Sequence, residues 1–295
     1  MSTVPIGAWM TVKELQYAEE SSYGVLPGSP VFNSVGYEPR VMFRVDPKML
    51  PIYQPGTEDT ETIQSAAARE ITWDIVYRPT DTGFAKYGVN SQGGGSGTID
   101  KSLTLLMSVK LNAATETWII LNGARPETTS ITGRAGANLE IRVIGKGQSF
   151  PIPTQTDPGY TYATSSSAQP IQLKDGGLTP LSIDGLPYDV TSITLNVERN
   201  LSTIAQPGSH SAMIIIPQNR QITGTFGIAW ETLGLLTILG TLAAPTMVWT
   251  LSAALGLTLT VNVTQFTKLN SLSFASEDPA LIENYAYQAS TASLT

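Results

Sequence analysis

The chain has 295 residues, 41% hydrophobic and 14% charged, with a formal net charge of -7, one histidine and no cysteine. That composition excludes general disorder, and the lack of cysteine excludes disulfides and thiolate metal sites. A pI near 4.8 argues against a conventional nucleic-acid reader, which needs clustered Lys and Arg to neutralise phosphates.

Taken in chain order, Met1–Pro5 lacks the basic segment and apolar run of a secretory signal. Val12–Glu20 reads as a short helical turn and Ser22–Gly28 as a turn cluster. A strand at Val41–Val45 leads into Pro47–Ala68, a Pro- and Gly-punctuated extended loop or hairpin arm. Ile71, Trp73, Ile75 and Tyr77 then alternate with Thr72, Asp74, Val76 and Arg78, the period of a half-buried strand. Thr80 or Asp81 can cap a short helix that ends near Gly88, and Gly93–Gly97 is a flexible loop. Strands are predicted at Ser102–Leu111, Thr115–Leu121, Thr128–Gly133 and Asn138–Gly145.

Ile152 to about Pro180 is rich in Pro, Thr, Ser and Gly and reads as a connection. Beyond it Ile193, Leu195 and Val197 alternate with Thr194, Asn196 and Glu198, and an arm follows over Arg199–Asn219. A strand at Ile222–Trp230, a helix over about Glu231–Leu242, and strands at Met247–Ala253, Leu257–Phe266 and about Glu283–Ala292 complete the chain. Leu233–Leu259 is apolar and uncharged, but Gly234, Gly240, Pro245 and Gly256 interrupt it. It reads as a core helix leading into buried strands and not as a membrane span, so no membrane insertion is expected.

The order repeats. Gln54-Pro55-Gly56 precedes Arg69-Glu70-Ile71-Thr72 by twelve residues, and Gln206-Pro207-Gly208 precedes Arg220-Gln221-Ile222-Thr223 by eleven. A glycine follows at the same offset in each copy, Gly83 and Gly234. Gly136–Val143 also lies over Gly256–Val263, with glycine and alternate apolar positions coinciding. So long a period is a duplicated domain and not a solenoid. The predicted fold is therefore mainly β: two tandem similar β-sandwich or rolled-sheet domains, each with one short helix and a long arm. The bounds are 1–152 for the first with its N-terminal extension, 153–180 for the connection and 181–295 for the second. Low charge leaves neutral polar surfaces, which suit subunit packing because little charge must be desolvated.

Catalytic constellations are missing. His210 sits in the second arm with no oriented partner nearby, and one histidine without cysteine makes no zinc site. Gly93–Gly97 lacks the Lys-Ser/Thr of a phosphate-cradling loop, and no nucleophile elbow occurs. Glu58/Asp59 and Glu277/Asp278 fall in turn-like regions, where solvated charge is the default. Three of the five tryptophans lie on the apolar side of alternating strands and read as core. No enzyme activity, cofactor or metal is expected.

Four segments carry a family resemblance: Glu20-Ser21-Ser22-Tyr23-Gly24 followed by Pro27; Thr117-Trp118-Ile119 through Thr128–Leu139; Pro187–Leu201 with Gly208 and Asn219–Gly224; and Asn284-Tyr285-Ala286-Tyr287-Gln288-Ala289. In order and spacing they resemble the two-domain tail tube proteins, or major tail proteins, of long-tailed bacterial or archaeal viruses. The resemblance implies a structural virion protein whose rings stack into a hollow tail tube for the viral DNA, which passes without specific binding. It also implies assembly in the host cytoplasm and neighbours of the tape measure, tail terminator and tail tip kinds.

Single-domain tube proteins close with six subunits, so a two-domain chain would close with three in a pseudo-six-fold ring; a hexamer of chains is the alternative. Three chains at -7 carry about -21 per ring, which disfavours adhesion of DNA. On this reading Asp74, Glu140 and Glu198 are channel-lining candidates, although strand alternation gives a face and not its direction. Gln54, Pro55, Gly56, Glu58 and Asp59 of the first arm, with Gln206, Pro207, Gly208, Ile214 and Ile215 of the second, are candidates for contact with an adjacent ring. The competing class is a β-sandwich virion surface or adhesin-type binding module without tube assembly.

Overall fold

The computed structural model describes residues 10–11, 14–46, 49–53, 60–65, 70–90, 101–110, 116–149, 152–154, 156–163, 169–173, 181–205, 212–229, 244–252, 257–268 and 282–295. The first half contains β1 (Met10–Thr11), β2 (Glu14–Glu19), β3 (Val31–Ser34), β4 (Tyr37–Asp46), β5 (Met49–Tyr53), β6 (Thr60–Ser65) and β7 (Glu70–Arg78). Helix α1 (Ala85–Val89) follows, then β8 (Leu103–Lys110), β9 (Glu116–Arg134) and β10 (Glu140–Gly147). β11 (Ile152–Thr154) and β12 (Thr161–Tyr162) lie in the connection. The second half contains β13 (Leu181–Ile183), β14 (Leu186–Tyr188), β15 (Val190–Ala205), β16 (Ala212–Ala229), β17 (Thr246–Ser252), β18 (Leu257–Lys268) and β19 (Ile282–Leu294). The chain is mainly β, as its alternation predicts.

Strand pairing runs in the same order in both halves. In the first it is β4–β7–β10–β9–β8–β2–β3, antiparallel throughout. In the second it is β15–β16–β19–β18–β17–β13–β14, again antiparallel. Registers correspond as well: Val45 faces Ile71 as Val197 faces Ile222, and Ile152 faces Ile120 as Leu294 faces Leu259. By these ladders the counterpart of β10 is β19 and that of β18 is β9. The expected overlay of Gly136–Val143 on Gly256–Val263 is therefore wrong. A glycine followed by alternating apolar residues marks any strand after a turn, and the pattern does not say which strand.

Three local expectations also change. Of the stretch Val12–Glu20, the described residues from Glu14 onward form strand β2 and not a helical turn. Leu15 and Tyr17 face the main core while Ala18 faces a second apolar cluster, so burial on both sides hides the period-2 signal. The two strands expected at Thr115–Leu121 and Thr128–Gly133 are one, β9. Gly123 (φ 66°) and a register shift between Thr128 and Pro126 bend it without ending it. The second arm is a ribbon in which β15 and β16 stay paired to Ala205 and Ala212, and β5–β6 is a separate two-stranded ribbon in the first half. The helix expected over Glu231–Leu242 and the Gly93–Gly97 loop lie outside the described residues. Among those that are described, no helix is long and apolar enough to cross a membrane.

The bend in β9 joins the halves. Its early residues lie between β8 and β11, whereas Thr128–Arg134 passes between β10 and β15. One contiguous core, from Leu15 to Leu294, backs this shared sheet and includes Trp73 (1% exposed) and Trp249 (0%). The connection straps the outer face of the first half. Tyr160 stacks on Phe32 and Tyr162 on Trp118, with ring centroids 5.0 and 6.2 Å apart. Farther on, Ile171 and Leu173 are buried, and the Ile171 amide donates to the Pro79 carbonyl at 2.8 Å.

Candidate assembly surfaces

Because strands alternate, the sheet that runs from β4 through β9 and β15 to β18 has one apolar and one polar face. The polar face carries all three carboxylate candidates. Glu198, Thr128, Ile144, Asp74 and Met42 form one row across five strands. Glu140 begins another, which continues through Thr132, Thr194, Thr225, Ala286 and Thr267.

The two halves of this face differ in chemistry. The first half is charged, with Arg40, Arg44, Asp74, Glu140, Arg142 and Lys146. Asp74 is buried and accepts two hydrogen bonds from Arg142, from Nε at 3.0 Å and from the guanidinium end at 2.6 Å. Those bonds hold Arg142 above the ordinary arginine range. Lys146 lies 2.8 Å from Glu70 and 3.6 Å from Glu127. Glu198 is exposed and accepts from Asn196 at 2.8 Å. The acid at Asp74 is thus compensated within the chain, a pairing across 68 positions that alternation alone does not reveal. Apart from Glu198 the second half is neutral: Thr194, Asn196, Thr223, Gly224, Tyr287 and Gln288 border an open depression of about 380 Å³. Hydroxyl and amide groups of this kind satisfy one another, as Thr194 and Thr225 do at 2.8 Å.

The second surface is the outer part of the β15–β16 ribbon. Cross-strand pairs place Ile204 opposite Ile214 and Ser202 opposite Ile216 on one side. Ile204 is 43% exposed and Ile216 39%. Ile215 points the other way. It is 1% exposed and forms a small cluster with Leu201, Ala212 and Tyr23, so this candidate is occupied within the chain. Gln54, Pro55, Gly56, Glu58, Asp59, Gln206, Pro207, Gly208 and His210 lie outside the described residues.

The ribbon base rests on a node that spacing alone did not single out as functional. Glu20 is 7% exposed and accepts from the amides of Gly24 and Gly123, at 2.7 and 2.8 Å. It also accepts from Thr104 Oγ1 at 2.8 Å and from the Ser102 hydroxyl. The turn that Gly24 closes (φ 76°) presents Tyr23 to the ribbon, and the Arg125 guanidinium lies 5.3 Å from the Tyr23 ring centre. Burial pushes the Tyr23 hydroxyl well above its usual range. The Glu20–Gly24 motif is therefore a support for the ribbon.

A second lock ties α1 to the other half. Arg220 and Arg199 donate to the carbonyls of Val89 and Asn90 at the helix end. The Asn90 amide donates to the Leu294 carbonyl at 3.0 Å and its Oδ1 accepts the Leu294 amide at 2.6 Å. Burial, together with neighbouring Arg199, lowers Arg220 to about 10.

Among the described residues no cluster of three or more metal-ligating side chains occurs. The model of one protein family, described as phage tail tube protein, matches residues 12–289. No curated protein matches the chain.

Proposed function

We propose that this chain, which belongs to the phage tail tube protein family, closes as three copies into a pseudo-six-fold ring and that the rings stack into the tail tube of a virion. The observation that carries the reading is the equal strand order of the two halves and their union through β9 and β15. One chain then supplies two equivalent sectors, taken as 1–152 and 181–295, and a closed ring leaves no sheet edge exposed. The repeated head-to-tail contact that builds such a ring is heterologous and closes by rotation.

In this arrangement the polar sheet face lines the bore. Its largely neutral sector offers hydroxyls and amides, and in its charged sector Asp74 holds Arg142 while Glu70 and Glu127 flank Lys146. Viral DNA passes along it without specific binding, because the net charge of -7 per chain disfavours adhesion of phosphates. The two ribbons project toward the neighbouring ring, with Ile204, Ile214 and Ile216 on the contacting side. Tape measure, terminator and tip proteins complete the tail after assembly in the host cytoplasm.

Negative-stain microscopy of the concentrated protein, with a mass measurement of the isolated particle, tests the reading. Rings or tubes with a three-chain repeat are expected; a monodisperse monomer at all concentrations overturns it.

A further inference from the structure

The ladder of β15 with β9 ends at Glu198, and that of β16 with β19 ends at Ile222. Past those pairs, among the described residues, the two strands of the ribbon pair only with each other. Arg199 still faces Arg220, but Leu201 already faces Pro217, so one residue of β15 is set against two of β16. Such a bulge bends a ribbon, and a two-stranded ribbon alone is at best marginally stable. Its direction therefore has to be set from outside its own ladder.

The first half of the chain supplies that support. The Leu201 amide donates to Glu127 Oε1 at 3.4 Å, and Lys146 Nζ donates to the Leu201 carbonyl at 3.3 Å. The same ammonium lies 2.8 Å from Glu70 and 3.6 Å from Glu127. Charged side chains thus take over the main-chain groups of Leu201 where the strand ladder has stopped. Farther along, Leu201, Ala212 and Ile215 pack against Tyr23, and the Ala212 amide donates to the Gln148 carbonyl at 3.3 Å. Gly123 leaves room for that ring, since a Cβ there would lie 3.0 Å from Tyr23 Cζ and 2.6 Å from Gln148 Cβ. The Tyr23 hydroxyl is buried with no hydrogen-bond partner among the described residues, so the ring itself is the contact. In the second half the place of Lys146 is taken by Gln288, which faces Thr223 as Lys146 faces Thr72. The charged clamp therefore belongs to the junction inside the chain and not to the repeated unit.

We infer that Lys146, Glu127 and Tyr23 are positioning residues for stacking: they fix the direction of the β15–β16 ribbon within the single chain, before rings meet. The inference rests on the reading that this ribbon contacts the next ring. Holding a contact segment in its bound conformation lowers the ordering cost of association, and Ile204, Ile214 and Ile216 are then presented already aligned.

Two measurements test it, and the first needs no tube. The chain has no cysteine, so spin labels on Met213→Cys and Val31→Cys, both at exposed sites, report the distance from ribbon to first half in labelled protein diluted with unlabelled chains. One narrow distance distribution is expected. Lys146→Met should broaden it, whereas Lys146→Arg and Tyr23→Phe should leave it narrow. The second measurement is the concentration at which tubes appear in sedimentation. Lys146→Met should raise it about tenfold, the effect of losing one hydrogen bond to a charged group, with single rings still visible. If Lys146→Met fails to fold by circular dichroism, Glu127→Met takes its place with the same expectations. A distribution that stays narrow in the variant overturns the positioning role, and so does a broadened one with tubes at the unaltered concentration. If the unaltered protein forms no tubes, or if Ile204→Ser with Ile216→Ser leaves tube formation unchanged, the stacking reading fails by itself and the inference with it; a label distance that still broadens in Lys146→Met tells that failure apart from the others.

Discussion

Trp73 and Gly145 face each other across β7 and β10. At the equivalent crossing in the second half the bulk has changed strands, with Gly224 on β16 facing Tyr287 on β19. A Cβ on Gly145 would lie 2.2 Å from the Arg125 carbonyl oxygen and 2.3 Å from Trp73, and one on Gly224 2.3 Å from the Thr194 carbonyl oxygen and from the Tyr287 hydroxyl. In both cases the obstacle includes backbone, so the glycine is required by close approach. Each half thus fills one site with one ring, supplied from opposite strands. Gly145→Ala and Gly224→Ala are each expected to lower stability by about 1–3 kcal/mol through overpacking. Tyr287→Phe keeps the ring and loses only the hydroxyl bond to the Thr194 carbonyl, 3.0 Å long, for about 0.5–1.5 kcal/mol. Urea unfolding of the three variants checks the ranking, and a Tyr287→Phe loss that exceeds either glycine variant would refute the close-approach account.

At the level of elements, half-buried strands were legible and doubly buried or bent ones were not. β7 alternates cleanly because only one of its faces meets the core. β2 does not, since Ala18 packs on Phe32 and Trp118 from the far side. The Gly123 and Pro126 inside β9 look like a stop, whereas neighbours on both sides hold the strand together. The face shared by Asp74, Glu140 and Glu198 follows from period 2. That Arg142 compensates Asp74 depends on β7 meeting β10, and no spacing in the chain encodes it. The same holds for Ile214 and Ile215, adjacent apolar residues whose roles are separated by the ribbon folding against Tyr23. Replacing Ile204 and Ile216 together by serine should leave the chain's unfolding within about 0.5 kcal/mol, as expected for exposed sites. It should nevertheless raise the protein concentration at which tubes appear in sedimentation. Ile215→Ala should instead cost about 2–4 kcal/mol of stability from its buried cluster. Tubes forming at unchanged concentration in the double serine variant would remove the ribbon from the ring contact.

The whole molecule is one cooperative unit in these terms, because a single core backs both halves and α1 is bolted to β15, β16 and β19. Its alkaline limit should show this. Burial, with nearby Asp81 and Glu19, raises the Tyr17 hydroxyl to about 12. Burial also holds Tyr77 and Tyr87 in the first half, and Tyr287 in the second, well above the usual phenol value. A folded pKa above the unfolded one means the folded state retains the proton. The stabilisation is complete below about pH 10 and is lost as pH rises toward the folded values. Arg220 works in the opposite sense. With its folded value lowered to about 10, its share of stability grows above that pH, but one arginine stands against seven tyrosines, since burial raises Tyr23, Tyr162 and Tyr188 as well. The denaturation midpoint should therefore fall steadily above pH 10 in a single transition, seen alike by tryptophan fluorescence and far-UV circular dichroism. Tyr17→Phe removes one ionisation and should make the fall shallower. Two separate transitions, one for each half, would show that the shared sheet does not couple them.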